Sequence, residues 1–402
     1  MSAATASSPT FRRINRAMLA GGFSAFALLY CVQPLMPQLA QQFVLTPAQS
    51  SWSLSISTLA LAVSLLLSGA LSERVGRKAL MAGALVASAV LTLLSACAPD
   101  FATLLVLRAL LGLALGGMPA VAMAYLSEEI AHDSLGLAMG IYIGGSAFGG
   151  MAGRVLASVI ADFSSWRLAL AAMGAAGLYA AWEFWRSLPA SRHFRSSNPG
   201  WHALLRGTRG HLQDAGLPWL FALAFLLMGV FVSFFNYIGY RLLAAPFGLG
   251  QSAVGALSVL YLIGIASAVW AGRLGDRIGR RNVLWIVMSI MLAGLLLTLS
   301  NSLLAIVAGM ALFTFGFFGS HSVASSWVGR RARAPQALAS ALYLFFYYLG
   351  SSVLGPVCGV VWKGAGWPAV VALLALALGL AFLIALHLRS LAPLDNAAPA
   401  CA

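Results

Sequence analysis

Residues 69–78 read G-A-L-S-E-R-V-G-R-K, and residues 272–281 read G-R-L-G-D-R-I-G-R-R. The two decapeptides lie 203 residues apart in a chain of 402, close to half its length. The same offset of 203 carries Gln33 onto Asn236 and Gly116 onto Gly319, and an offset of 201 carries Trp166 onto Trp367. Duplication of one unit explains these coincidences together.

Twelve apolar segments surround the decapeptides: 17–38, 50–72, 79–97, 101–125, 135–160, 166–188, 217–240, 251–272, 283–300, 302–327, 337–361 and 367–388. Each decapeptide joins the second and third segments of its copy. Runs of roughly 20 apolar residues with little alternation are the mark of membrane-spanning helices; barrel strands would be about 10 residues of alternating pattern. Composition agrees, with 61% hydrophobic and only 8% charged residues. That is too little charge for a water-facing surface, so the backbone must satisfy itself inside helices. The expected fold is an all-α membrane protein: twelve transmembrane helices in two six-helix halves related by a pseudo-two-fold axis. An even span count makes both halves run in the same direction, an arrangement in which solute binds where the halves meet. The chain divides into an N-terminal tail (1–16), an N-terminal half (17–188), a linker (189–216), a C-terminal half (217–388) and a C-terminal tail (389–402).

The net charge of +14 raises nucleic acid as a partner. The cations, however, sit between apolar runs rather than along one polar face, so nucleic acid is excluded. Of the 24 Lys and Arg residues, 19 fall in the tails and in the connectors after the second, sixth, eighth and tenth spans, including Arg12, Arg13, Arg16, Arg192, Arg195 and Arg333. Only Arg167, Arg241 and Lys363 lie on the other side, and Arg108 and Arg154 lie inside spans. The positive-inside rule then puts both termini in the cytoplasm, in the inner membrane of a bacterial cell. Within the linker, Trp201, Leu204, Leu205 and Leu212 recur at helical spacing beside Arg206, Arg209 and His211, which predicts a short amphipathic helix at the cytoplasmic interface. Cys31, Cys97, Cys358 and Cys401 share no metal-ligand spacing. The basic stretch before the first span imitates a signal peptide, but that span is too long and is read as retained.

The decapeptide pattern G-x-x-x-D-R-x-G-R-R/K resembles the signature of the major facilitator superfamily, and the resemblance covers the chain apart from its tails. Glu73 stands where the pattern prefers Asp; Asp276 keeps it. Gly69 and Gly272 allow close helix approach, and Gly76 and Gly279 permit a tight turn. In relatives, the cluster formed here by Gly69, Glu73, Arg74, Gly76, Arg77 and by Gly272, Asp276, Arg277, Gly279, Arg280 latches the cytoplasmic side and breaks as the halves rock; these residues are equally topology determinants. The run R-A-L-L-G-L-A-L-G at 108–116 resembles the span-4 motif of proton-driven members, which links Arg108 to proton transfer or substrate binding. The stretch G-S-A-F-G-G-M-A-G-R at 145–154 partly resembles the span-5 motif of drug:proton antiporters, with Gly150 in place of the proline and Arg154 in place of the last glycine. Small-residue helix packing explains the same glycines.

Charges inside the membrane are costly and face the bundle interior or water. Arg108 either does so or snorkels towards the nearer surface. Arg154 is either a cavity charge or a partner of Asp162, eight residues on. Tyr30 and Gln33 in span 1, with Asn236, Tyr237 and Tyr240 in span 7, offer donors and acceptors without fixed charge, fitting a central cavity for a polar or amphipathic solute. His321 is the one histidine well inside an apolar run, suited either to proton exchange or to hydrogen-bonded packing. All ten acids lie in loops or near span ends, so the buried charges are positive and favour neutral, zwitterionic or anionic solutes over lipophilic cations. No HExxH, Cys/His cluster or phosphate-binding glycine loop occurs, which points away from an enzyme, a metal, a cofactor and direct ATP drive. The expectation is a monomeric secondary transporter of a small molecule, exporting a drug, sugar or metabolite against protons; an importer, a sensor and a channel are the alternatives.

Overall fold

The helices begin where the sequence supplies caps. In the computed structural model, Ser8 accepts the N–H of Phe11 ahead of Pro9, and Thr46 forms a capping box with Gln49 ahead of Pro47. Asp100 accepts the N–H of Thr103 at 2.8 Å, and that bond holds its carboxyl below the usual carboxylate value. Each cap satisfies a donor that the first helical turn leaves free. Residues 4–6, 8–191, 201–332 and 335–391 are described, without the side chains at 69, 70, 73 and 201–203. Expectations that fall on Arg192, Arg195, Arg333, the Glu73 side chain and the chain beyond residue 391 lie outside the described residues.

Ten helices among the described residues are long and apolar enough to cross a membrane. The last, Gln336–Ser390, is two helices run together across a kink at Ala365 and Gly366, where Gly366 takes φ +65°. Trp166–Ser187, 22 residues long, reaches across by length. The twelve expected segments are thereby accounted for: α1 (Pro9–Gln42), α2 (Pro47–Val75), α3 (Arg77–Ala96), α4 (Phe101–Glu129), α5 (His132–Phe163) and α6 (Trp166–Ser187); then α7 (Leu217–Leu243), α8 (Gln251–Ile278), α9 (Arg280–Leu297), α10 (Leu303–Arg331), α11 (336–364) and α12 (367–390). α1 starts at Pro9, earlier than residue 17, because its Ser-Pro cap carries the helix through the basic stretch; Arg16 there pairs with Glu183 at 2.8 Å.

The duplication is visible in packing as well as in sequence. A Cβ added to Gly149 of α5 would fall 2.1 Å from the Phe23 carbonyl oxygen of α1, and one added to Gly350 of α11 would fall 1.9 Å from the Phe225 carbonyl oxygen of α7. Both helix pairs touch backbone to backbone at equivalent places. Gly145 and Gly153 meet Leu19 and Ala27 of α1 in the same way, so the span-5 glycines seat α5 on α1. Arg167 donates to the carbonyls of Ala96 and Ala98 at 2.9 Å, and Trp367 donates to Thr298 at 3.1 Å: each half closes the end of its third helix with a residue from the start of its sixth.

Several hydrogen bonds join the halves among the described residues. They are Gln33 to Asn236 and to the Val232 carbonyl, Ser50 to Tyr240 at 2.7 Å, Thr58 to Ser352 at 2.8 Å, Gln251 to the Pro34 carbonyl and the Ser252 N–H to Asp162 at 3.1 Å. All lie between mid-depth and the face away from the termini. On the basic face no ion pair among the described residues joins the two halves: Arg77 pairs with Glu128 at 2.8 Å, and Arg280 and Arg330 pair with Asp276 at 2.9 and 3.3 Å. Gly76 and Gly279 turn the basic connectors at φ +92° and +86°, a region open to glycine, while Arg74 and Arg277 are exposed.

The linker forms the expected helix, Trp201–Leu212, and it is fastened to the C-terminal half. His211 Nε2 lies 3.1 Å from the Pro335 carbonyl. Asp214 takes Arg331 Nε at 2.5 Å and the N–H groups of Gly216 and Leu217 at 2.8 Å. Burial pushes the Asp214 carboxyl up, but the Arg331 and backbone bonds outweigh it and leave the carboxyl below its usual value. A depressed folded-state value gives a contribution present above the ordinary Asp value, about 3.9, and lost as pH falls through the depressed one. The linker helix should therefore stay docked at neutral and mildly acid pH, and Asp214→Ala should free it. Limited trypsinolysis at Arg206 and Arg209 checks this: cleavage should be faster in the variant at pH 7, and equal rates would refute the docking role.

Candidate functional site

The site starts at a break in α1. The helix proper ends at Tyr30, and Gln33–Leu35 forms a single 3-10 turn because Pro34 and Pro37 cannot donate to the helical ladder. The last carbonyls of an α-helix have no intrahelical partner. Here Cys31 N takes the Ala27 oxygen at 2.9 Å, and Arg108 takes the next two. Its Nη1 reaches the Leu28 oxygen at 3.1 Å, its Nη2 the Leu29 oxygen at 2.5 Å, and its Nε the Ser53 oxygen of α2 at 3.1 Å. Arg108 is 0% exposed, so it faces the interior and does not snorkel. Its charge sits against the negative end of the α1 dipole, which replaces the carboxylate that the sequence lacks.

Arg154 occupies a different environment, at the seam between the halves. Its Nε donates to Gln33 Oε1 at 2.6 Å, and its Nη1 to the Gly150 carbonyl at 2.6 Å. Gln33 in turn donates from Nε2 to Asn236 Oδ1 at 2.7 Å. The Tyr30 and Tyr261 rings, one from each half, lie 4.1 and 4.9 Å from the guanidinium carbon. The alternative partner, Asp162, is instead held by the Ser252 N–H: eight helical residues rise about 12 Å, too far for a direct pair. A cavity of about 30 Å³ borders Gln33, Arg154 and Asn236. Pro37 and Leu243 separate it from an outer vestibule of about 370 Å³ lined by Gln41, Pro47 and Tyr240.

Four of the expected residues, Tyr30, Gln33, Arg154 and Asn236, thus come together. Tyr237 instead donates to the Gly355 carbonyl at 2.7 Å, and Tyr240 belongs to the far-face seal through Ser50. His321 lies apart in the C-terminal half, with Nδ1 3.0 Å from the Tyr343 hydroxyl and its ring 4.7 Å from that of Tyr347. Sequence reasoning passed over Tyr261; its signal was a lone phenol in an otherwise aliphatic part of span 8. It also passed over Ser50, Gln251 and the Thr58–Ser352 pair, short polar residues that carry no motif. No group of three metal-ligating side chains occurs among the described residues.

The profile of the Major Facilitator Superfamily matches residues 18–241 and 238–400. The chain belongs to the major facilitator superfamily. Among its superfamily relatives, the inner membrane transport protein YnfM of Escherichia coli (strain K12) is 50% identical over 381 residues, covering 95% of this chain and 91% of the relative. The uncharacterized MFS-type transporter YybF of Bacillus subtilis (strain 168) is 47% identical over 366 residues, covering 91% of each. The fold matches that of the xylose transporter XylE from E. coli in a partially occluded inward-open conformation, with TM-score 0.73, 17% identity and coverage of 96% and 98%. It also matches a bacterial homologue of the human lysosomal transporter Spinster, inward-facing and occupied, with TM-score 0.74, 15% identity and 95% coverage of each chain. As a superfamily member the chain is a multi-pass inner-membrane transporter of a small molecule, and not an enzyme.

The Arg108 geometry carries a prediction. Replacing it with alanine strands buried carbonyls in a medium that offers no water. Arg108→Ala should cost about 2 kcal/mol of stability, and Arg108→Lys nearly as much, since one ammonium cannot span carbonyls on two helices. Melting of the purified protein in a fixed detergent checks this. Unchanged melting of both variants would show that the clamp is dispensable.

Proposed function

We propose that this chain is a secondary active transporter that exports a small polar or charged organic molecule by alternating access, driven by the proton gradient. The observation that carries the reading is the chain of bonds Arg154–Gln33–Asn236, which runs from one half to the other beside a cavity at their seam. Groups so placed are made and broken as the halves rock, so solute occupancy and conformation are linked through the same side chains. In this reading Tyr30, Gln33, Arg154 and Asn236 hold the solute, Tyr237 and Tyr240 belong to the gate, and His321 with Tyr343 exchanges the proton. Arg108 acts by keeping the break in α1 rigid. Its bonds are all to main-chain carbonyls, which supports a positioning role in place of the proton-pathway role suggested by motif resemblance.

The concentration of cations on the face bearing the termini supports a cytoplasmic location for both ends. The structure is then the state closed to the outside. Gly69, Glu73, Arg74, Gly76 and Arg77, with Gly272, Asp276, Arg277, Gly279 and Arg280, form the latch that meets when the cytoplasmic side closes. Export and proton drive are supported by the resemblance of the span-4 and span-5 stretches to the antiporter motifs. No feature calls for a second copy, and the working unit in this reading is the monomer.

Solutes that stabilise the purified protein should accumulate in everted membrane vesicles energised by respiration, and an uncoupler should abolish the accumulation. Gln33→Ala with Asn236→Ala should reduce the initial rate at least about tenfold, since two buried hydrogen bonds are lost, while the protein still inserts. Accumulation by right-side-out vesicles alone would reverse the direction, and indifference to the uncoupler would remove the proton.

A further inference from the structure

Arg154 is 3% exposed, and no acid among the described residues pairs with it. All ten acids of the chain lie in loops or near span ends, and the one on its own helix nearby, Asp162, is engaged by Ser252 across the far-face seal. Arg108 shows what a compensated guanidinium looks like here, with each of its three nitrogens on a carbonyl oxygen. Arg154 lacks that compensation. A guanidinium carries five N–H donors, and the bonds to Gln33 and Gly150 use two of them. Its Nη2 has no hydrogen-bond partner among the described residues.

The neighbouring groups repeat the pattern of donors without acceptors. The Asn236 amide nitrogen and the Tyr261 hydroxyl are buried without a partner; the one can only donate and the other can donate. The Asn236 oxygen, which could accept, is already taken by Gln33. A buried cation with no carboxylate beside it and with spare donors around it is the complement of an anion. The Tyr30 and Tyr261 rings lie 4.1 and 4.9 Å from the guanidinium carbon, and Nη2 is the nitrogen left to donate to an acceptor such as a carboxylate.

We propose that Arg154 is the carboxylate-binding group of the solute site, and that the molecule carried is an organic acid in its anionic form. The inference rests on the transport reading for the word "carried", but the binding geometry stands on its own. A cation of the same shape is repelled by the same charge, which no described carboxylate neutralises. Nothing at Arg154 selects among organic acids, so the class is named by its head group, and aromatic acids serve as probes because matched amides and an amine exist.

The test uses the purified full chain in nanodiscs of zwitterionic lipid, where no anionic headgroup competes. Thermal stabilisation is titrated with benzoate and nicotinate, with the matched amides benzamide and nicotinamide, and with benzylamine. The wild type should bind the carboxylates about ten- to a hundredfold more tightly than the amides and should not bind the amine. Arg154→Gln should erase the difference, and Arg154→Lys should retain a weakened preference for the acids, which guards against a variant that merely misfolds. Amides or amine that bind as well as the acids, acids that fail to bind, or an Arg154→Gln protein that binds acids undiminished would each overturn the proposal. Repeating the titration with phosphatidylglycerol added separates a solute from a lipid headgroup: stabilisation by the lipid that requires Arg154 and displaces benzoate would assign the site to lipid and overturn the solute reading. Counterflow of labelled benzoate in proteoliposomes separates the two claims. Arg154-dependent binding without counterflow defeats the claim that the bound acid is carried and leaves the anion site standing; counterflow of a neutral solute that is indifferent to Arg154→Gln does the reverse.

Discussion

The break in α1 is the constraint on which the rest depends. In a bilayer no water is at hand to satisfy a freed carbonyl, so a helix that stops at mid-membrane must find donors from its neighbours. Pro34 and Pro37 force the stop, and Arg108 supplies the donors to Leu28 and Leu29. The same stop releases Gln33 from the helical repeat and turns it to the seam, where it takes Arg154 on one side and Asn236 on the other. One local defect therefore produces both the rigid support of the N-terminal half and its polar link to the C-terminal half.

The two arginines buried deep within the spans, Arg108 and Arg154, differ in the kind of oxygen they meet. Arg108 meets main-chain oxygens within one half, which in the proposed alternating-access reading keep their places as the halves rock. Arg154 meets a side-chain amide that is shared with the other half, so in that reading its surroundings change with conformation. Only a group of the second kind can link ligand binding to a shift between states. On the far face, Asp162 adds a further link between the halves: its carboxylate serves as the cap for the start of α8, whose own N-cap residue, Gly250, has no side chain to offer.

Much of the fold was legible because a duplicated membrane bundle writes itself twice. The repeated decapeptide, its offset and the long apolar runs led directly to two six-helix halves, and the same offset singled out Gln33 and Asn236, which lie 2.7 Å apart. The surroundings of Arg108 were not legible, because its partners are backbone carbonyls and any sequence possesses those. Asp162 suggested a partner for Arg154 by lying on the same helix face, whereas its real partner is an N–H in the other half, a pairing that leaves no mark in the chain. Tyr261 escaped notice because a phenol among aliphatic residues equally suits a lipid-facing position. The start of α1 ran earlier than hydropathy indicated, since a Ser-Pro cap continues a helix past the edge of the apolar run.

A structure of the same chain captured open to the far face, for example with a binder raised against that state, tests the central claim most directly. The account predicts that the Gln33–Asn236 hydrogen bond is broken, while the bonds of Arg108 to Leu28, Leu29 and Ser53 and that of Arg154 to Gln33 survive, because they lie within one half. A Gln33–Asn236 bond that persists in the opened state, or an Arg108 that has left the α1 carbonyls, would contradict it.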